Sequence, residues 1–270
     1  MPGDVGVLLA IDVGNTNIKL GTFRGDALSA NWRLRTDAQG TADGYAAQLH
    51  FLLERARLRF EDVGGVSLSS TVPALVPILR ELVAHYVGPR CPFVEVSARA
   101  RTGITIAIDN PLEMGADRIV DALAAARLYR LPAIVVDFGT ATTFGPIDAD
   151  ERLLGAVLAP GLMTAMDGLF QRAAKLARIE LRKPTEVIGR DTVSALRSGW
   201  VYGYVGLVEG LIARIKREIG QDCLVIATGG LAELVLSATD VADVHDPLLT
   251  LKGLKLFYDL NTDLNSADAA

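Results

Sequence analysis

Short apolar runs that end in small polar turns recur along the chain, and they predict buried strands and the loops that follow them. Val7 to Ile11 form the first run, and Ile18 to Phe23 predict a second strand after an intervening turn. Ala27 to Leu34 predict a third strand. Apolar residues near helical spacing from Thr41 to Arg59 predict a helix with Thr41 as its N-cap. The other elements expected in this half are a strand at 65–70, a helix at 72–87 and a strand at 93–96.

A similar pattern returns in the other half of the chain. Ala133 to Val136 form an apolar run that ends in another glycine turn, and Leu224 to Ala227 form a further one. A long helix is predicted from Thr192 to Ile219, and its glycines suggest that something packs closely against it. The remaining elements expected here are strands near 133–137, 142–148 and 153–158, a helix at about 162–176 and a C-terminal helix at 248–260.

The turn after the first strand has the composition of a phosphate-binding loop. Gly14 lets a phosphate approach the backbone because it has no Cβ. Asn15, Thr16 and Asn17 can donate hydrogen bonds. Asp12 only accepts hydrogen bonds when ionised, so its presence beside a phosphate requires a divalent cation between them. The alternative is an ordinary tight turn between two strands.

A second and a third turn of this kind favour the phosphate-binding interpretation. Asp137-Phe138-Gly139-Thr140 repeats the Asp-x-Gly pattern about one domain's length after Asp12. Thr228-Gly229-Gly230 follows the apolar run at 224–227. These three turns, with a β-β-β-α-β-α-β order, resemble the actin, Hsp70 and sugar-kinase superfamily. The resemblance implies an α/β fold with two ribonuclease-H-like (actin-like ATPase) domains and a cleft between them, at residues 1–110 and 111–260, and residues 261–270 are expected to form a disordered tail.

Composition narrows the possible classes of function. Half of the 270 residues are hydrophobic and 22% are charged, which is typical of a folded protein with a proper core. The net charge of −5 and the pI near 5.3 argue against binding to nucleic acids or acidic membranes. Cys91 and Cys223 give neither a disulfide framework nor metal-ligand spacing, as in a reducing cytosol. No signal peptide or membrane span is recognised, so a cytoplasmic protein is expected.

The segment from Asp109 to Arg118 has the most individual sequence of the chain. Gly115 allows a turn, and an alanine-rich helix is predicted from Ile119 to Tyr129. Asp117 and Arg118 therefore lie in or near the first turn of this helix. One interpretation is that Asp117 is simply a favourable negative charge at the positive end of the helix dipole. Alternatively, Asp117 is a base and Arg118 binds a carboxylate or a phosphate.

Several motifs in one order give a closer resemblance. They are Asp12-Val13-Gly14-Asn15-Thr16-Asn17, Asn110-Pro111 with Gly115-Ala116-Asp117-Arg118, Asp137-Phe138-Gly139-Thr140-Ala141-Thr142, Pro160-Gly161, Gly189-Arg190-Asp191-Thr192 and Thr228-Gly229-Gly230. Together they resemble the type III pantothenate kinase family over residues 7–260. The Gly-Ala-Asp-Arg element separates this family from other kinases of the superfamily. The resemblance implies ATP-dependent phosphorylation of pantothenate, the first step of coenzyme A biosynthesis, by a homodimer.

The resemblance also implies cofactors and roles for individual residues. It implies a magnesium-bound nucleotide and a monovalent cation, potassium or ammonium. Asp12 would hold the magnesium ion of ATP through water, and Asp137 would hold the monovalent cation. Asp117 would accept the proton of the substrate hydroxyl. ATP would contact Asp12, Val13, Gly14, Asn15, Thr16, Asn17, Ile18, Lys19 and Thr140, and pantothenate would contact Gly115, Ala116, Asp117, Arg118 and Thr192.

One position departs from the family pattern, and two other functions stay open. Many members carry Tyr seven residues before the glycine of Gly-Ala-Asp-Arg, where this chain has Ile108, so that substrate-site role is not carried over. A regulatory or accessory protein on this fold would be expected to lack Asp117 or one Asp-x-Gly turn, and all are present. A phosphatase acting on polyphosphate or guanosine phosphates would be expected to show a catalytic glutamate deep in the chain and to lack Gly-Ala-Asp-Arg.

Overall fold

The structure is a computed structural model that describes residues 6–172 and 179–262. The strands in this part of the chain are β1 (Val7–Val13), β2 (Asn17–Arg24), β3 (Ala27–Arg35), β4 (Val63–Ser70), β5 (Phe93–Glu95), β6 (Thr105–Ile106), β7 (Ala133–Phe138), β8 (Ala141–Ile147), β9 (Arg152–Leu153), β10 (Val157–Pro160), β11 (Leu224–Thr228) and β12 (Val244–His245). The α-helices are α1 (Ala42–Arg55), α2 (Leu75–Leu82), α3 (Ala116–Leu128), α4 (Leu162–Arg172), α5 (Thr192–Ile219), α6 (Ala232–Leu236) and α7 (Leu249–Thr262). None of the helices in the described ranges is both long and apolar enough to cross a membrane.

Contacts between residues divide the described chain into two compact units. The first comprises the described residues within Met1–Gly103, Asn110–Ala124 and Thr250–Ala270, and the second those within Ile104–Asp109 and Ala125–Leu249. The sequence-based boundary after residue 110 stays a prediction, and this division differs from it at residues 104–109, at α3 and at α7. The predicted tail starts at residue 261, but residues 261 and 262 still belong to α7, and residues 263–270 lie outside the described residues.

The first unit is built on a mixed sheet with the strand order β3-β2-β1-β4-β5. Strand β1 is antiparallel to β2 and parallel to β4. Leu9, Ile11 and Val13 point to one face of β1, where they share a core with the buried residues of α1 and α2. On the opposite face, Ser67 Oγ donates a hydrogen bond to the carbonyl of Leu254 in α7 at 2.9 Å. The sheet is therefore covered by helices on both faces.

The second unit repeats the central arrangement of the first. Its sheet has the order β12-β11-β7-β8-β9-β6, and β10 pairs with β8. Strand β7 is antiparallel to β8 and parallel to β11, as β1 is to β2 and β4. Ile134, Val136 and Phe138 of β7 share a core with α5 and α6. The predicted α/β fold with two ribonuclease-H-like halves is confirmed.

Several predicted elements differ in detail from the structure. The strand expected at 153–158 is two short strands, because Gly155 between them has a φ of +148° that interrupts an extended chain. The helix expected from residue 72 begins at Leu75, and its continuation over Val83–Val87 is a π-helix. Helix α4 ends at Arg172, and residues 173–176 of the predicted helix lie outside the described residues. Helix α5 has the predicted bounds.

Candidate active site

The turn between β1 and β2 is held by hydrogen bonds from two other segments of the first unit. The backbone N–H of Gly14 donates to the carbonyl of Asn17 at 3.0 Å and closes the turn. The carbonyl of Gly14 accepts a hydrogen bond from Thr36 Oγ1 at 2.6 Å, and that of Val13 accepts one from Thr71 Oγ1 at 3.1 Å. These bonds fix the backbone of the turn in one conformation, which a preorganised phosphate-binding loop requires.

Asp12 lies at the end of β1 and is only 6% exposed. Its cross-strand neighbour is Lys19, whose Nζ lies 3.6 Å from Asp12 Oδ2. A buried carboxylate is costly without a compensating charge, and Lys19 supplies one. In the described ranges, no group of three or more His, Cys, Asp or Glu residues could hold a metal ion. A single carboxylate nevertheless suits magnesium, which is commonly held by one or two carboxylates together with substrate phosphates and waters.

Asp12 and Lys19 are neighbours across strands β1 and β2, and Arg33 on β3 extends this row of charged side chains across the first sheet. The register of β2 and β3 sets Arg33 beside Lys19, which in turn lies beside Asp12. Trp32 and Leu34 pack on the core, so Arg33 lies on the opposite face with Lys19 and is exposed. The added positive charge beside the first turn favours an anionic ligand. Sequence analysis did not single out Arg33, because its proximity to Asp12 depends on strand register.

The turn between β7 and β8 is a shorter version of the first turn. The backbone N–H of Gly139 donates to the carbonyl of Ala141 at 3.1 Å. The carbonyl of Thr140 accepts hydrogen bonds from the N–H of Gly161 at 3.1 Å and from Thr164 Oγ1 at 2.7 Å. A Cβ on Gly161 would overlap the carbonyl oxygens of Gly139 and Thr140, so glycine is required there. The side chain of Thr140 is exposed.

The third glycine turn lies directly against Asp137. Gly229 has a φ of +96°, and a Cβ there would overlap Asp137 Oδ1 and lie 2.5 Å from the backbone N of Phe138. Thr228 is the cross-strand neighbour of Asp137 in the parallel pair of β11 and β7. The second and third turns therefore form one site around the Asp137 carboxylate.

Tyr204 of α5 contributes a buried hydroxyl to the surroundings of Asp137. It forms a hydrogen bond with Thr142 Oγ1. Burial raises the pKa of Tyr204, and the negative charge of Asp137 acts in the same direction, whereas hydrogen bonds with Thr142 and with the backbone of Leu162 oppose the rise. Tyr204 is therefore neutral at physiological pH. No motif marks this residue in the sequence.

The Gly115–Arg118 segment brings a carboxylate and a guanidinium together. A Cβ on Gly115 would lie 2.6 Å from Asp117 Oδ1 and 2.9 Å from Arg118 Nη2, so both side chains fold back over the glycine. Asp117 Oδ1 also accepts a hydrogen bond from the backbone N–H of Arg118 at 2.9 Å. Helix α3 begins at Ala116, three residues before the predicted start at Ile119, so Asp117 and Arg118 lie in its first turn as expected. Glycine at position 115 makes room for this pair of side chains.

The start of α5 is fixed by its own cap. Asp191 Oδ1 accepts a hydrogen bond from the N–H of Ser194 at 2.9 Å. This bond, together with one from the Ser194 hydroxyl, lowers the pKa of Asp191. A Cβ on Gly189 would overlap the backbone of Ala195, so this glycine allows the preceding chain to pack on the helix start. Thr192 is the first residue of the helix and is exposed.

The structure groups the candidate residues into local sites. In the first unit, the turn from Asp12 to Lys19 forms one group and the Gly115–Arg118 segment another. In the second unit, Asp137 lies with the third turn, and Thr140 lies in the same loop as Asp137. Thr192 lies at the start of α5.

Comparison with solved structures identifies the fold. The chain is similar to a protein from Campylobacter jejuni described as a conserved Baf family transcriptional activator, with a TM-score of 0.58, 18% identity, and coverage of 94% of this chain and 99% of the other. It is similar to the activator of 2-hydroxyisocaproyl-CoA dehydratase from Clostridium difficile with bound ADPNP, with a TM-score of 0.54, 12% identity, and coverage of 96% and 97%. It is also similar to a Sinorhizobium meliloti protein described as a 2-dehydro-3-deoxygalactonokinase, with a TM-score of 0.58, 14% identity, and coverage of 93% and 95%. At these identities the likeness shows the fold alone, which is the two-domain fold of actin-like ATPases and sugar kinases.

A family model adds sequence information that the fold lacks. The model for type III pantothenate kinase matches residues 8–214, which is well over half of the chain. The matched range includes the first two turns, the Gly115–Arg118 segment and most of α5, while the third turn follows it. The chain therefore belongs to the type III pantothenate kinase family.

Proposed function

We propose that this protein phosphorylates pantothenate with ATP to give 4′-phosphopantothenate, the first step of coenzyme A biosynthesis. Family membership supports the proposal, and the observation that carries it is the pairing of Asp117 and Arg118 over Gly115. Pantothenate has a primary hydroxyl at one end and a carboxylate at the other. A carboxylate that can accept a proton suits the primary hydroxyl, and a guanidinium beside it can bind an anionic group of a substrate.

The nucleotide is assigned to the glycine turns. The backbone of the turn from Asp12 to Lys19 would bind the ATP phosphates, and Thr140 would make a further contact with ATP. Lys19 and Arg33 supply positive charge beside the first turn, which supports this assignment. When bound, magnesium would neutralise part of the phosphate charge, and Asp12 would hold it through water.

Asp117 would act on the acceptor. Phosphoryl transfer depends mainly on positioning and on charge neutralisation, so the first task of Asp117 is to orient the primary hydroxyl. Its carboxylate would accept the hydroxyl proton late in the reaction, as the bond to phosphorus forms. Arg118, Gly115, Ala116 and Thr192 would make further contacts with pantothenate.

A monovalent cation, potassium or ammonium, is assigned to Asp137. The Asp137 carboxylate lies directly against the third turn at Gly229, and as an anionic oxygen ligand it supports this assignment. Such a cation would offset phosphate charge next to the second turn.

We also propose a homodimer in the cytoplasm. Helix α5 carries Gly199, Gly203 and Gly206 on an exposed stripe, and within the described chain no heavy atom outside the local backbone lies within 4 Å of a Cβ built on any of them. The close packing that the sequence suggested thus has no partner among the described residues, and a second copy of α5 would supply one. Sedimentation showing a monomer at micromolar concentration would contradict the dimer. Cys91 and Cys223 are free thiols, which supports a reducing compartment.

The test of the catalytic assignment is Asp117→Asn. Asn keeps the shape of Asp but cannot accept a proton, so pantothenate-dependent release of ADP should fall by about 10²–10⁴-fold. Binding of ATP should be retained, because Asp117 is not assigned to the nucleotide. A thermal melt of the same preparation reports whether the variant is folded.

Two outcomes would overturn this proposal. Near-normal turnover by Asp117→Asn would remove the base assignment, and the search would move to Asp12, Asp109 and Asp191. A wild-type protein that binds ATP but releases no ADP with pantothenate, magnesium and potassium would favour an accessory protein on this fold.

A further inference from the structure

Two buried hydroxyl groups have no hydrogen-bond partner among the described residues. They are Ser69 Oγ at the end of β4 and Thr228 Oγ1 at the end of β11, and both residues are 0% exposed. A buried hydroxyl without a partner is unfavourable, because it has lost its hydrogen bonds to water and gained none. Natural structures contain few such groups, so each one calls for an explanation.

Both hydroxyls occupy the same position in the duplicated fold. Ser69 is the cross-strand neighbour of Asp12 in the parallel pair of β4 and β1, and Thr228 is that of Asp137 in the parallel pair of β11 and β7. Neighbouring strands lie about 4.8 Å apart and paired residues point to the same face, so each side chain leaves the sheet beside a motif aspartate. Two independent sheets thus have an unpartnered hydroxyl beside the equivalent carboxylate.

Nearby buried hydroxyls do have hydrogen-bond partners. Ser67, two residues before Ser69 on the same face of β4, donates to the carbonyl of Leu254 at 2.9 Å. Thr142 in the second unit forms a hydrogen bond with Tyr204. Among the buried hydroxyl groups of the described residues, the missing bonds therefore occur at the two positions beside the aspartates.

We propose that Ser69 and Thr228 are ligand-binding residues, and that each hydroxyl completes the oxygen shell of the hydrated cation attracted by the neighbouring aspartate. The identity of the two cations rests on the proposed function: the magnesium of the nucleotide beside Asp12, and a monovalent cation beside Asp137. A hydroxyl oxygen that has no other partner can offer its lone pairs to the cation or to one of its waters. The family match ends at residue 214, so it assigns nothing to Thr228.

Ser69→Ala tests the first turn, with Ser67→Ala as its matched control. In the ligand-free protein, Ser69→Ala should leave the Tm unchanged or raise it, because it removes a polar atom that has no partner. Ser67→Ala should lower the Tm, because the Leu254 carbonyl loses its donor. Calorimetric titration with ADP and magnesium should then show the reverse order: Ser69→Ala weakens binding about tenfold or more, and Ser67→Ala binds as the wild type does.

Thr228→Val tests the second turn, since valine keeps the shape of threonine without its hydroxyl. The readout is the rise in Tm when potassium replaces sodium in the presence of saturating ADP, because a cation that binds the folded state stabilises it. Thr228→Val should reduce this rise to a small fraction of the wild-type value. Ser67→Ala should show the full rise from its lower starting Tm.

Three results would overturn the proposal. If Ser69→Ala lowers the ligand-free Tm and leaves ADP affinity unchanged, its hydroxyl is a structural group bonded to a resident water. An unchanged potassium response in Thr228→Val, or a wild type without any potassium response, removes the cation-binding role of Thr228. Neither titration contains pantothenate, so a protein that passes both and fails to phosphorylate pantothenate refutes the proposed function and leaves this inference standing.

Discussion

Replacement of Gly115 by alanine should inactivate the protein without unfolding it. The new Cβ would lie 2.6 Å from Asp117 Oδ1 and 2.9 Å from Arg118 Nη2, whereas ordinary contact begins at 3.4 Å. Both atoms lie at the far ends of side chains, so the carboxylate would retreat by about 0.8 Å and the guanidinium by about 0.5 Å while the backbone stays in place. The φ of Gly115 lies outside the left-handed region, so alanine adds no backbone strain.

The displacement sets the size of the expected effect. A misplacement of about 1 Å at a reacting group can cost on the order of 10²-fold in rate. We therefore expect Gly115→Ala to lower kcat by about 100-fold, equivalent to ~2.7 kcal/mol in the activation barrier. The free energy of unfolding should change by less than ~1 kcal/mol, since only flexible side-chain ends have to move.

The assay is pantothenate-dependent ADP release at saturating ATP, beside a thermal melt of the same sample. Gly168→Ala is the matched control, because Gly168 is an exposed residue of α4 and, among the described residues, no heavy atom outside the local helix backbone lies within 4 Å of its Cβ position. It should keep normal turnover and gain ~0.5–1 kcal/mol of stability, as expected for glycine replaced inside a helix. Normal turnover in Gly115→Ala would show that the positions of Asp117 and Arg118 do not matter for the reaction, and would refute the reasoning.

Further predictions concern the second turn and the start of α5. Activity should be weak in sodium and strong in potassium or ammonium, and Asp137→Asn should impair ATP use more than folding; equal rates in the three salts would remove the cation from Asp137. Gly161→Ala should raise the KM for ATP and lower the Tm, because its Cβ would overlap the backbone carbonyl oxygens of Gly139 and Thr140, and an unchanged KM would count against a phosphate site there. The folded-state pKa of Asp191 lies below the ordinary value of 3.8, so its contribution to stability is present above that pH and is lost as the pH falls through the folded pKa. Melts of wild type and Asp191→Asn from neutral to acidic pH should therefore converge in acid, and parallel curves would contradict this.

The duplicated fold could be predicted because its signals are local. Each half begins with an apolar strand, a glycine turn and a returning strand, and these patterns need no knowledge of long-range contacts. The bounds of α5 are equally local, since Asp191 caps its start and Gly220, with a φ of +73°, ends it. The two-residue strands β6 and β12 are too short to show any periodicity, so they were not predicted.

The supporting residues of the site could not be predicted, because they act across long sequence separations. Thr36 and Thr71 bind the first turn from 22 and 58 residues away. Strand register alone brings Arg33 beside Lys19 and Ser69 beside Asp12, and register is a property of the folded sheet. The motif residues themselves were recognisable, because each motif is a short run of consecutive residues.

The last helix has a consequence for the order in which the protein can fold during synthesis. Leu254 and Tyr258 of α7 lie against Ser67 and Gly65 of β4, on the sheet face that carries Asp12. On the ribosome, β1 to β5 emerge long before residues 249–262, so this face stays open while most of the chain is being made. Closure then depends on a contact between residues 187 positions apart in the sequence, and contacts of such long separation form slowly. The unit that starts the polypeptide is therefore the one that is completed last.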